Sequence, residues 1–226
     1  MYKVKFYKGE YRERQKQAND DKCVAYVEQH FNSAGAGANY TVVITGSNAS
    51  STSMNWGQWY AGAVSREFNL PLGGDKGVMK GGYDGRGDGN IKYTNMPAIL
   101  LEPLFVNNPQ SAALIRTEQG QMRLAHILCE SVQRFFQNGG LIGFSVGHKY
   151  KISRPNDRGA DVVGGGSEAD YAETVLLKAK ALLEAIKEPQ LEREIKIMRG
   201  TEVVYKTTID ADTDVRWDGV RGILNI

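Results

Sequence analysis

LIGFSVGHKYKISRPNDRGADVVGGGSEADYAETVLLKAKALLEAIK, residues Leu141–Lys187, decides how the chain is read. It opens with an apolar run, Leu141 to Val146, short enough for a buried strand and ending on Gly147-His148. A loop rich in glycine follows, and an acidic helix start then leads into apolar residues at helical spacing. Strand, loop and helix place His148 where a strand emerges and Glu168 where a helix begins, the two ends at which α/β sheets build sites. Ser167 and Asp170 have capping-box spacing, which explains Asp170 as a cap partner and leaves Glu168 free on the first turn.

Working outward, Lys3 to Tyr7 alternates as a half-buried strand, and RERQKQANDD reads as a polar helix. Cys23 to Val27 is a central strand with His30 just past its carboxyl end, and Tyr40 to Thr45 is another. GSNASSTSMNWG, residues 46–57, is expected to be loop because Ser and Asn compete for backbone hydrogen bonds. Gln58 to Phe68 is helical, and the glycine-rich run Asn69 to Asn90 is expected as a surface loop, since it lacks phosphate-loop spacing. Pro97 to Leu101 is a buried strand terminated by Glu102, and Ser111 to Phe136 is helix with a break expected at Gly120. Arg193 to Ile209 forms a hairpin about Arg199-Gly200, so the expected division is a domain over 1–188 and a β-rich extension over 189–226 packed on the sheet edge.

The 226 residues, 41% hydrophobic and 24% charged, belong to a folded chain. A net charge of +2 is too small to argue for nucleic acid. The first residues lack the apolar centre of a signal peptide, and no long charge-free run exists to span a membrane. Synthesis in the cytoplasm is expected. Cys23 and Cys129 have no CxxC partner and read as buried thiols rather than metal ligands.

His30, Glu102, His148 and Glu168 are the ionisable groups at the ends of apolar runs. If the strands are parallel, their carboxyl ends share one sheet edge and the four groups can meet there. Two imidazoles and one carboxylate suit zinc with a position left for water, and a second carboxylate would handle that water's proton. Each group also has a plainer reading as a surface or capping residue. The plainer reading is weakest for Glu102, because a carboxylate abutting Ala98-Ile99-Leu100-Leu101 needs a partner or pays for desolvation. His126 reads as structural, and Glu28 as a strand-end neighbour of His30.

The segments GHKY, Asp157-Arg158-Gly159-Ala160, Glu168-Ala169-Asp170, RERQKQAN, Glu28-Gln29-His30-Phe31-Asn32 and PAILLEPLFVNNP resemble the motifs of the type-3 family of zinc-dependent N-acetylmuramoyl-L-alanine amidases. The family's opening motifs come last here, so the element order resembles a circular permutation. That resemblance implies an α/β fold with a central, mostly parallel sheet flanked by helices and zinc held by His30, His148 and Glu168. It also implies Glu102 as acid/base and peptidoglycan as substrate. Lys149 and Tyr150 depart from the family's glycines after Gly-His. Arg154 and Arg158 are candidates to meet substrate carboxylates, and Tyr83 and Trp56 to face sugar, while Trp59 fits helix packing. The missing signal sequence suits a bacteriophage lysin or a bacterial enzyme exported by another route. The rival readings are a peptidoglycan-binding or virion structural protein, and a zinc amidase or peptidase acting on another acylated peptide.

Overall fold

A computed structural model describes residues 1–35, 37–186, 192–199, 202–210, 216–218 and 223–225. In chain order the elements are β1 (Tyr2–Phe6), α1 (Tyr11–Asp20), β2 (Ala25–Gln29), β3 (Val42–Thr45), α2 (Ser51–Phe68), β4 (Val78–Lys80), β5 (Gly82–Tyr83) and β6 (Arg86–Gly87). After a 3-10 turn at Asp88–Asn90 come β7 (Ala98–Glu102), α3 (Pro109–Arg116), α4 (Glu118–Phe135), β8 (Gly140–Val146) and α5 (Glu168–Glu184). The chain divides into two compact units, Met1–Ile186 and Lys187–Ile226.

The first unit is an α/β fold around a six-stranded sheet of order β1-β8-β2-β7-β3-β4. Every pairing is parallel except β3 with β7. Strand periodicity sorts the core between the two faces. Val27, Ile99 and Leu101 point to one face and pack with buried residues of α2, α3, α4 and α5. Tyr26, Ala98 and Leu100 point to the other, where Ala18 of α1 and Ile91 cover them. The parallel strands β8, β2 and β7 therefore end on one edge, carrying Gly147-His148, His30 and Glu102 with them.

Two expectations are corrected here. Residues 51–57 are the first turns of α2 and not loop: the Ser50 hydroxyl caps the helix by accepting from the Ser53 amide at 3.2 Å. Burial of Trp56 against Phe136 then outweighs the weak helix propensity of the Ser-rich segment. The break in the long helical stretch falls at Thr117, which is extended and caps α4 through the Gly120 amide. Gly120 itself lies inside the first turn of α4.

The glycine-rich run 69–90 is also more ordered than a surface loop, contributing β4 to the sheet and the β5–β6 hairpin above its edge. One further topological feature bears on the fold's origin. Helix α5 follows β8, and one of the two strands parallel and adjacent to β8 is β1, at the other end of the unit's sequence. The α5 side chains Glu184 and Lys180 hold the backbone of Val4 in β1, at 3.0 and 2.9 Å. Strand β8, helix α5 and strand β1 thus form a β-α-β unit without its second connection.

In the second unit β9 (Glu192–Arg199) pairs antiparallel with β10 (Glu202–Asp210), and β11 (Arg216–Asp218) with β12 (Ile223–Asn225). The expected packing of 189–226 on the sheet edge rests on residues outside those described. Among the described residues no helix is long and apolar enough to cross a membrane.

Candidate metal centre

His30 leaves β2 with its ring between two carboxylates. Its Nδ1 lies 3.0 Å from Glu168 Oε1 and its Nε2 lies 2.9 Å from Glu28 Oε1. Burial opposes the imidazolium, but hydrogen bonds to Glu168 and Glu28 outweigh it and raise the His30 pKa to about 10.

His148 comes from the loop after β8, with its Nε2 3.3 Å from the same Glu168 oxygen and its ring 4.9 Å from that of His30. Its Nδ1 lies 3.1 Å from Asp157 Oδ1. Glu168, only 4% exposed at the start of α5, also accepts the amides of Phe31 and Ala160. Burial works against its charge, yet hydrogen bonds and charge from His148 and His30 hold its carboxyl well below the usual range. Gly159 permits this approach: it has φ +71°, and a Cβ there would stand 2.4 Å from Glu168 Oε2. Ligating atoms of His30, His148 and Glu168 lie within 4.8 Å of one another, so the three side chains can hold a metal ion.

Behind the cluster stands a layer of polar groups of which the sequence reading names Glu28, as a strand-end neighbour of His30. Glu28 is fully buried and, besides His30, accepts from Asn90 Nδ2 at 2.6 Å and Ser145 Oγ at 3.0 Å. Ser145 in turn accepts from the buried guanidinium of Arg14 at 2.7 Å, which also donates to the carbonyls of Gly9, Val146 and Lys149. Burial disfavours the Glu28 charge, but His30 and Arg14 prevail and its pKa is lowered. Arg14 and Asp157 thus orient the ligands from outside. Arg14 was hidden because it sits in a helix whose text is polar throughout. The signal available for Asp157 was its place in the Asp-Arg-Gly-Ala segment after Gly-His.

Glu102, the last residue of β7, lines the same cavity of about 440 Å³ as the cluster. Its Oε2 is buried and has no hydrogen-bond partner among the described residues, and burial pushes its pKa up to about 7. Tyr83 lines that cavity too, its hydroxyl 3.0 Å from that of Tyr40 and accepting from Asn32 at 3.2 Å. Trp56 must be withdrawn as a sugar-facing aromatic: it is 0% exposed in the core and its indole donates to Ser131 Oγ at 3.0 Å. Arg154 is exposed and Arg158 donates to the carbonyls of Pro155 and Asp157; neither lines the cavity. Arg86 does, and sequence reasoning missed it because it lay in the run read as surface loop.

The side chains of Lys149 and Tyr150 bind α5 instead of joining the His30, His148 and Glu168 cluster. Lys149 Nζ binds Asp170 and Glu173 of α5, at 2.7 and 2.6 Å, and the Tyr150 hydroxyl also donates to Glu173. Tyr150 keeps the left-handed backbone that a glycine would adopt freely, with φ 69°.

Residues 2–134 match the family model described as N-acetylmuramoyl-L-alanine amidase, Amidase_3. The chain belongs to this amidase family. His30 and Glu102 lie inside the matched stretch, and His148 and Glu168 follow it. Among solved structures, this amidase-family chain is similar to the catalytic domain of CwlV, an N-acetylmuramoyl-L-alanine amidase from Bacillus (Paenibacillus) polymyxa var. colistinus. That match has 25% identity and a TM-score of 0.47, over 57% of this chain and 66% of that one. It is also similar to the amidase of Clostridium difficile 630, with 22% identity and a TM-score of 0.49 over 58% and 67% of the two chains. Ami1 from Mycobacterium smegmatis matches at 18% identity and 0.49, over 57% and 61%. The chain thus spans about two thirds or less of the length of these structures. No curated protein matches it.

Proposed function

We propose that this amidase-family chain hydrolyses the amide between the lactyl group of N-acetylmuramic acid and L-alanine in peptidoglycan, with zinc as cofactor. The observation that carries the reading is the convergence of His30, His148 and Glu168, from three separate elements, on one cavity that also holds the unpartnered carboxylate of Glu102. Two imidazole nitrogens and one carboxylate oxygen are the donor set of a hydrolytic zinc site. Bound there, zinc would supply Lewis acidity, polarising the scissile carbonyl and acidifying water at neutral pH.

The chain's own groups then divide the proton work. Glu102 accepts the proton of the attacking water as the oxygen bonds to the carbonyl carbon. It returns that proton to the alanine nitrogen as the carbon–nitrogen bond breaks, so the products are a free lactyl carboxyl and a free amine. A carboxyl whose pKa stands near 7 suits both halves of this exchange. Glu28 and Asp157 hold the outer nitrogens of His30 and His148, so that each ring turns its other nitrogen to the cation.

We also propose that the fold is a circular permutation of the family order. The β8, α5, β1 unit supports this: joining α5 to β1 and opening the chain between α4 and β8 restores a continuous β-α-β crossover. Such rearrangement is tolerated where old and new ends meet at the surface.

The test of the activity is release of L-alanine amino termini from purified peptidoglycan by zinc-loaded protein, beside a chelated control. Zinc-dependent amines without new reducing sugars are expected. Folded, zinc-loaded protein that releases no amines would falsify the amidase reading.

A further inference from the structure

The cavity is lined by five side chains able to carry charge: His30, His148, Glu168, Glu102 and Arg86. The first three form the metal cluster and the fourth is the acid/base, which leaves Arg86. Its side chain enters no hydrogen bond or ion pair with any described residue, although it lies close enough to Glu102 to act on its ionisation. A guanidinium facing a reaction cavity with its donors unused is a site for a planar anion.

Arg86 is also firmly presented. It stands across from Tyr83 in the β5–β6 hairpin, whose turn residues Asp84 and Gly85 have φ of 49° and 84°, as a tight two-residue turn requires. Tyr83 is fastened by Tyr40 and Asn32. On the other side of the hairpin the Asp88 carboxylate accepts the Ser47 amide at 2.7 Å and Lys92 Nζ at 2.8 Å. Asn90, just beyond, ties the segment to Glu28 behind the metal cluster. The hairpin backbone that carries Arg86 is thus held in place, so only the side chain has to order on binding.

The anion's source follows from the substrate's chemistry, and this step rests on the amidase reading. In an N-acetylated glycan whose lactyl carboxyl is consumed in the scissile amide, negative charge resides in the peptide. We infer that Arg86 binds a carboxylate of the peptide on the amine side of the scissile bond, and so selects acidic over amidated peptide stems.

Two zinc-loaded assays test this. The first compares kcat/KM on N-acetylmuramoyl-L-alanyl-D-glutamate and on its diamide. A charge-assisted hydrogen bond predicts that wild-type protein prefers the diacid by about tenfold or more. Arg86→Gln removes that preference and Arg86→Lys keeps part of it. A ratio unchanged in Arg86→Gln overturns the proposal, because Arg86 then acts on the reaction and not on the peptide. The second assay is calorimetric binding of the dipeptide L-alanyl-D-glutamate, which needs no turnover. Binding that weakens about tenfold in Arg86→Gln sustains the subsite even if neither substrate is cleaved, so the amidase reading alone would fall. Equal binding by both proteins, with circular dichroism showing both folded, overturns the subsite.

Discussion

Glu28 and Glu102 are two carboxylates at the ends of adjacent parallel strands, and their surroundings assign them opposite tasks. Glu28 is enclosed by His30, Asn90 and Ser145 with Arg14 behind, and its pKa is depressed. Glu102 has one buried oxygen with no partner among the described residues and a pKa raised to about 7. Burial opposes both charges; hydrogen bonds and opposite charge outweigh it at Glu28, whereas at Glu102 the nearby charges of His30, Arg86 and His148 do not. A satisfied carboxylate can fix a ligand but is a poor proton carrier, whereas an unsatisfied one is costly to keep and ready to exchange.

The contrast breaks first at turnover. Glu102→Gln should retain zinc and lose about 10²- to 10⁴-fold in kcat, the range for removing a general acid/base; zinc content measured beside activity checks it. If Glu102→Gln lost its zinc, Glu102 would belong with the ligands, and the contrast with Glu28 would collapse.

Next in size is the support behind Glu28. Arg14→Leu removes a positive charge near Glu28 and leaves Ser145 and the buried Gly9 and Val146 carbonyls without their donor, and should cost about 3–5 kcal/mol of stability, read by urea unfolding. A loss under 1 kcal/mol would show that His30 and Asn90 suffice. Smaller again, Glu28→Gln should weaken zinc binding about 10- to 100-fold in a chelator competition while activity recovers at saturating zinc. Failure to recover would give Glu28 a part in the reaction itself.

The finest test is the slope of stability with pH in chelated protein. Glu102 has a raised folded pKa, so its ionisation destabilises the fold increasingly as pH climbs from the ordinary carboxylate value through about 7. Glu28 has a lowered one, so its contribution is present at neutral pH and disappears as acid protonates it. Glu102→Gln should therefore stabilise by about 1–3 kcal/mol at pH 8 and by little at pH 5. Glu28→Gln should destabilise at pH 8, with the gap closing on acidification. Melting curves that ran parallel to wild type between pH 5 and 8 for Glu102→Gln, or on acidification below about 4.5 for Glu28→Gln, would dissolve the distinction.

How far the sequence carried varies between these same residues. Apolar runs with punctuation placed the strands β1, β2, β3, β7 and β8, and with them His30, Glu102 and His148 at strand ends. Glu168 was visible as the acidic opening of a helix. Other features depend on tertiary contact. Ser51 to Gly57 has the composition of a loop, yet it is helical because Trp56 is buried. Arg14 reads as one more charge on a polar helix and becomes a buried hub only because Ser145 and Val146 meet it from β8. Arg86 was obscured because Gly-rich text gives no hint that a short hairpin will stand over the sheet edge.

His30 and Glu168 bind one another across 138 residues of chain. A cation bridging them, as proposed, would close a very long loop, and the entropy of closure grows only slowly with length. The centre therefore acts late in the life of the polypeptide. When His30 leaves the ribosome, Glu28 has been made but Glu168 has yet to be translated. His148 and Glu168 emerge only after β8, the last strand of that sheet, so the proposed chelation and completion of the sheet edge would fall at nearly the same moment in synthesis.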